Sequence, residues 1–163
     1  MQKLDIIYLA DNKEFIQTCA SWAYGQWGCQ SGGTLDRAIE KFTKGANKVS
    51  LPITLLALYD TKPAGMISLW ESDFDGKLEL SPWLASLYVH PFYRHKNIAS
   101  CLIKELESRA SQLGYSNLFL VTEEAKNLYV KYGWTEIEKV NTAYGKASLM
   151  MKSLNKKTLI RII

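Results

Sequence analysis

The chain has 163 residues, 47% hydrophobic and 22% charged, a balance that fits one packed domain over residues 1–163 and excludes a disordered or collagenous chain. Its 20 Lys and Arg against 16 Asp and Glu leave a net charge of +4 with no long basic stripe, so a small anionic ligand suits it better than nucleic acid, for which no surface is expected. No stretch approaches the ~18 apolar residues of a membrane span and no signal-peptide core precedes Asp11, so no membrane partner and a cytoplasmic location are expected.

Asp5 to Leu9 (DIIYL) is an apolar run of strand length, and Asp11 with Glu14 three residues on predicts a capping box for a helix reaching about Trp27. Gly28, Gly32 and Gly33 break that helix; Thr34 caps a second one to about Phe42, with Leu35, Ala38, Ile39 and Phe42 on one face. Lys44 to Pro52 reads as a loop. Ile53–Tyr59 and Ala64–Trp70 flank Asp60 to Pro63 as an antiparallel hairpin. Glu71 to Pro82 is polar and turn-rich. Trp83–Val89 (WLASLYV) is nearly all apolar, as a central strand covered on both faces would be.

From Ile98 the apolar residues Ala99, Leu102, Ile103, Leu106, Ala110 and Leu113 recur at three and four, predicting the longest helix, stopped by Gly114. Leu118–Thr122 reads as a buried strand, Glu124–Tyr132 as a short helix, and Trp134–Val140 with Ala147–Lys152 as a final strand pair. The tail from Ser153 has no assignment. The order βααβββαβαββ, without repeats or a linker, predicts a mixed α/β (α+β) domain.

Cys19, Cys29 and Cys101 are odd in number and, like His90 and His95, lack metal-ligand spacing. Buried free thiols and no metal follow. Between the central strand and the long helix stands LYVHPFYRHKNIAS, with Arg94, His95 and Lys96 clustered at the helix start. Such a cluster is either a solvated turn or an anion site, because a helix start presents free N–H groups and the positive end of the helix dipole.

The element order, LYVHPFYRHKNIA and AKNLYVKYGW together resemble the GCN5-related N-acetyltransferase (GNAT) superfamily, most strongly from Trp83 to Trp134. The resemblance implies the acyl-CoA N-acyltransferase fold, a central, mostly antiparallel mixed sheet flanked by helices. It implies direct transfer of acetyl from acetyl-CoA, as co-substrate, to a primary amine of a small molecule or peptide, and it allows a homodimer. The family turn RxxGxG or RxxGxA here reads Arg94, His95, Lys96, Asn97, Ile98, Ala99, with Asn97 in place of the glycine. The resemblance implies that this turn, with Ser100 after it, holds the CoA pyrophosphate, and that the main chain of Leu87, Tyr88 and Val89 pairs with the pantetheine arm. Glycine suits such a turn because it accepts positive φ and close phosphate approach, and Asn is the non-Gly residue best able to adopt the left-handed conformation. Weakened but retained CoA binding is the expectation.

Tyr129, in LYVKYGW, matches the family's general acid. An alkyl amine of pKa ~10.4 is neutral about one time in 2,500 at pH 7, whereas a thiolate of pKa ~8.5 leaves more readily, so removing the amine proton matters more than the acid. Glu71, at the end of the strand Ala64–Trp70, is the first candidate base, with Asp73, Asp75 and Glu79 competing in a stretch that also reads as a solvated acidic loop. Trp22, Tyr24 and Trp27 are either acceptor-pocket aromatics or core packing. Two alternatives remain at this level: a CoA-binding relative that lost catalysis, and a non-enzymatic interaction domain.

Overall fold

The computed structural model describes residues 1–154, so the tail beyond, within the unassigned stretch from Ser153, lies outside the described residues. Its elements are β1 (Leu4–Tyr8), α1 (Ile16–Gln26), α2 (Leu35–Lys44), β2 (Ile53–Tyr59), β3 (Lys62–Trp70), β4 (Trp83–Val89), α3 (Ile98–Gln112), β5 (Asn117–Thr122), α4 (Lys126–Lys131), β6 (Thr135–Thr142) and β7 (Gly145–Ser153). The strands form one seven-stranded sheet in the order β1-β2-β3-β4-β5-β7-β6. Every neighbouring pair is antiparallel except β4 and β5.

Alternation along the strands sends side chains to opposite layers. Leu55 and Ala57 of β2 join Ile98, Leu102, Ile103, Leu106 and Ala110 of α3 in the main core, while Leu56 between them packs with Cys19 and Ala20 of α1 and Phe42 of α2. The five buried α3 residues are the stripe expected from the spacing, and burial of each Leu or Ile contributes about 2 kcal/mol. The helix ends as Gly114 predicts: at φ 95°, its N–H bonds Ser111 O at 3.0 Å and Tyr115 N–H bonds Ala110 O at 3.1 Å, the paired bonds of a Schellman stop. Thr34 also caps as expected, its hydroxyl accepting from Arg37 N–H at 3.2 Å.

Other local readings are corrected. The Asp11–Glu14 capping box does not form: Asp11 pairs instead with Lys48 at 3.0 Å, and two short 3₁₀ turns precede α1, which starts at Ile16. The ion pair removes the would-be cap, and the first of those turns places Leu9 in the core at full burial. Of the thiols, Cys19 is buried, but Cys101 is partly exposed and Cys29 exposed. The hairpin turn is tighter than the sequence suggests. Asp60 and Thr61 both adopt positive φ (47° and 70°), the requirement of a two-residue type I′ turn. Among the described residues no helix is long and apolar enough to cross a membrane.

Candidate active site

The centre of the sheet opens where β4 changes character. Ser86 sits at φ 52°, and the β3–β4 register shifts between Met66 and Ser68, so β4 carries an extra residue there. Such a bulge bends its strand and frees backbone groups from the ladder. β4 and β5 are bridged in register only at Trp83–Phe119, and they part beyond it. Trp83 to Ala85 are buried while Ser86 to Val89 are half-buried, so the strand is covered on both faces only in its first half. Gly65 on β3 permits the close approach on the other side: a Cβ there would stand 2.7 Å from the carbonyl oxygen of Tyr88.

Leu87, Tyr88 and Val89 lie on this opened segment. Val89 lines a cavity of about 310 Å³ with Tyr93, Arg94, His95, Asn97, Ile98, Ala99, Ser100 and, from α4, Leu128 and Tyr132. The chain leaves β4 through a short 3₁₀ turn at Pro91–Tyr93, capped by His90 Nδ1, which accepts from Phe92 N–H at 3.2 Å. Arg94 folds back, its Nε–H donating to Val89 O at 3.1 Å. His95 and Asn97 both adopt left-handed φ (64° and 60°), so Asn97 takes the backbone position that glycine would fill. The first helical bond of α3 runs from Cys101 N–H to Asn97 O at 3.1 Å, and no side chain caps the helix. The amides of Ile98, Ala99 and Ser100 therefore precede the ladder at the cavity wall, an arrangement suited to an anion. Lys96 does not line the cavity; its ammonium lies 5.2 Å from the Tyr59 ring centre.

Tyr129 on α4 is 6% exposed, its ring edge-on to Trp134 at 5.8 Å between centroids. The same helix turns Leu128 and Tyr132 to the cavity. Among the described residues the Tyr129 hydroxyl makes no hydrogen bond, yet no fully enclosed side-chain oxygen or nitrogen lacks a partner. Burial chiefly, and the charge of Asp73 in addition, push the phenol above its ordinary pKa, which keeps it protonated.

Glu71 lies elsewhere, at the end of β3. It lines a second cavity of about 190 Å³ with Lys41, Lys44, Pro52, Trp70 and Ser72. Asp73, two residues on, is exposed to water on one side and walled by protein on the other. Desolvation by those walls pushes its carboxyl up to about 7; Lys41 opposes the shift and Glu123 adds to it. Asp73 thus stands within electrostatic reach of Lys41, Glu123 and Tyr129, residues from three other parts of the chain. Over the same region the β6–β7 turn reaches across: Thr142 donates to Glu123 Oε1 at 2.7 Å, and the Tyr144 hydroxyl donates to Trp27 O at 3.3 Å. Trp22 packs on Tyr88 with ring centroids 5.2 Å apart.

Six of the seven turn residues therefore share one cavity, while Tyr129 and Glu71 stand outside it. Sequence reasoning gave no role to Ser86, Lys41 or Trp70. The signal for the bulge was present as a polar residue, Ser86, within the otherwise apolar WLASLYV. Nothing in the spacing ties Lys41 to Asp73. Cys19 is no candidate nucleophile, since burial pushes its thiol up to about 12.

A sequence model of the acetyltransferase (GNAT) family matches residues 13–134. No curated protein matches in sequence. Among solved structures, an aminoglycoside 6'-N-acetyltransferase complexed with coenzyme A superposes with a TM-score of 0.74 at 16% identity, covering 93% of this chain and 97% of that one. The aminoglycoside 6'-N-acetyltransferase from Enterococcus faecium gives 0.72 at 17% identity, with 93% and 97% covered. The Salmonella typhimurium protein yncA with its cofactor acetyl-CoA gives 0.70 at 16% identity, with 94% and 95% covered. At such identities the likeness is one of fold.

Proposed function

The chain belongs to the acetyltransferase (GNAT) family, and from that premise we propose that it moves acetyl from acetyl-CoA directly to a primary amine of a small molecule or peptide. The observation that carries this reading is the cavity at the start of α3, where three amides outside the helical ladder and the cations of the turn meet the segment of β4 that has parted from β5. In this reading the amides of Ile98, Ala99 and Ser100, with Arg94 and His95 around them, hold the CoA pyrophosphate, and Lys96, outside the cavity, adds only its charge. The free main chain of Leu87 to Val89 orients the pantetheine, as an added strand would.

A carboxylate first takes a proton from the ammonium, the freed amine nitrogen attacks the thioester carbonyl carbon, the C–N bond forms and the C–S bond breaks, and the second proton that nitrogen sheds replaces the one the phenol gives to the thiolate. We assign that carboxylate to Asp73, with Glu71 as its rival. A base held near pKa 7 closes about half the gap between an ordinary Asp, ~3.9, and an alkyl ammonium, ~10.4. The departing thiolate takes its proton from Tyr129, whose raised pKa keeps it loaded.

The test is release of CoA thiol from acetyl-CoA across a panel of polyamines, aminoglycosides, amino acids and peptides, run beside a calorimetric titration with CoA. Turnover with any amine supports the reading. Binding without turnover leaves a CoA-binding relative without catalysis, and absence of heat at millimolar CoA removes the nucleotide from the site altogether.

A further inference from the structure

Lys41 projects from α2 so that its Nζ lies 3.5 Å from the centre of the Trp70 indole ring. This is a close cation–π contact, and it fixes the end of a side chain that otherwise has four rotatable bonds. Among the described residues Lys41 forms no ion pair, whereas Lys44 one turn later is paired with Glu40 at 3.7 Å. The contact uses one side of the ammonium, and Lys41 lines a 190 Å³ cavity together with Trp70 and Glu71. Lys41 is exposed as a residue, while desolvation by the protein beside its ammonium lowers its pKa and the charge of Asp73 opposes that shift. A cation already held in place on an indole ring loses less side-chain freedom on binding an anion than a freely rotating surface lysine does.

The surrounding charges are not uniform. Glu71 lines the same cavity, and Asp73 and Glu123 lie on the side toward Tyr129. The Lys41 ammonium opposes the second positive charge of a polycation. A ligand with its ammonium toward Asp73 and a carboxylate toward Lys41 would satisfy both ends.

We infer that the acceptor is an amine that also carries a carboxylate, and that Lys41, seated on Trp70, is the residue that selects it. The inference rests on the acetyl-transfer reading for the direction of the amine, but its test does not depend on turnover. The probes are ω-amino acids of increasing length, from glycine to 6-aminohexanoate, each paired with its own amide, which keeps the amine and deletes the negative charge.

Affinity for each probe, measured by calorimetry with CoA present, should favour one or more of the acids over their amides by about tenfold. Lys41→Met should bring that ratio to about one, Lys41→Glu should invert it, and Lys41→Arg should retain most of it, which separates loss of charge from loss of fold. Equal affinity for acid and amide throughout the series overturns the inference, as does a preference that survives Lys41→Met, or binding of neither probe. A Lys41-dependent preference for acids without thiol release upholds the anion site and removes the transferase reading instead.

Discussion

The two cavities, taken as the cofactor half and the acceptor half of the proposed site, are built differently. The turn at the start of α3 is one continuous stretch: Arg94 to Ser100 supplies six of the ten residues that line the 310 Å³ cavity, with left-handed φ at His95 and Asn97. The opposite half gathers Lys41 from α2, Trp70 and Glu71 from the end of β3, Asp73 from the loop beyond, and Glu123 from the end of β5. A phosphate can be held by main chain, so its site follows from local conformation. An acceptor must be told apart from other amines by side chains, and these are free to come from anywhere the fold brings together.

The comparison breaks first at Asp73. If the acceptor half supplies the base, Asp73→Asn should lower kcat/KM at pH 7 by about 10³-fold and abolish the rise of kcat/KM through about pH 7 expected of the wild type, while Glu71→Gln leaves that rise in place. The opposite pattern transfers the role to Glu71. Stability should move the other way. The folded protein holds the Asp73 proton more tightly than the unfolded chain, where Asp has a pKa of ~3.9, so this contribution is present below that value and lost as pH rises through about 7. Asp73→Asn should therefore raise the melting temperature relative to wild type at pH 8 and not at pH 3. A variant that loses activity and stability together would mark Asp73 as structural.

Tyr129 stands between the halves, and its removal should cost less. Tyr129→Phe should reduce kcat by about 10²-fold, the low end for a general acid, because the thiolate is a good leaving group without help. The ring contact with Trp134 remains in the variant, so melting should hardly change. A drop of several degrees with unchanged kcat would identify the hydroxyl as a packing group.

The same division explains what was legible in the sequence. The α3 stripe, the Thr34 cap, the Gly114 stop and the left-handed fitness of Asn97 each depend on residues within a few positions of one another, and each is found in the structure. The capping box failed because a residue 37 positions away, Lys48, competes for Asp11. Lys41 over Trp70 and the electrostatic grouping around Asp73 were illegible for the same reason. Their partners are chosen by sheet order, which periodicity does not encode.

A control lies outside both halves. Glu107 of α3 accepts from Lys152 Nζ at 2.8 Å and from Trp134 Nε1–H at 3.0 Å, and Lys152 is otherwise bonded to Tyr132 O at 2.5 Å. Glu107→Ala leaves a mostly buried cation and an indole N–H without that partner, which should cost about 2–3 kcal/mol and lower the melting temperature by about 5–10 °C. CoA affinity well below the transition should be unchanged, because no Glu107 atom lines the cavity. Loss of affinity there would tie the turn to the packing behind α3.

The smallest expected effect is the most specific to the turn. Asn97 holds φ 60° at the N-terminus of α3 without offering a side-chain cap, so it bears the left-handed strain and returns no hydrogen bond to the helix. Asn97→Gly removes that strain and the Cβ beside the cavity, and it should tighten CoA by a few-fold, about 0.5–1 kcal/mol, without altering the pH profile that the acceptor half sets. Asn97→Ala keeps the Cβ and loses the tolerance of Asn for positive φ, so it should weaken CoA by a similar factor. Opposite signs from two substitutions that both delete the amide would locate the effect in the backbone, as a main-chain phosphate site requires. Equal losses from both would assign the binding to the Asn97 side chain, and the division between a backbone half and a side-chain half would fail at its clearest point.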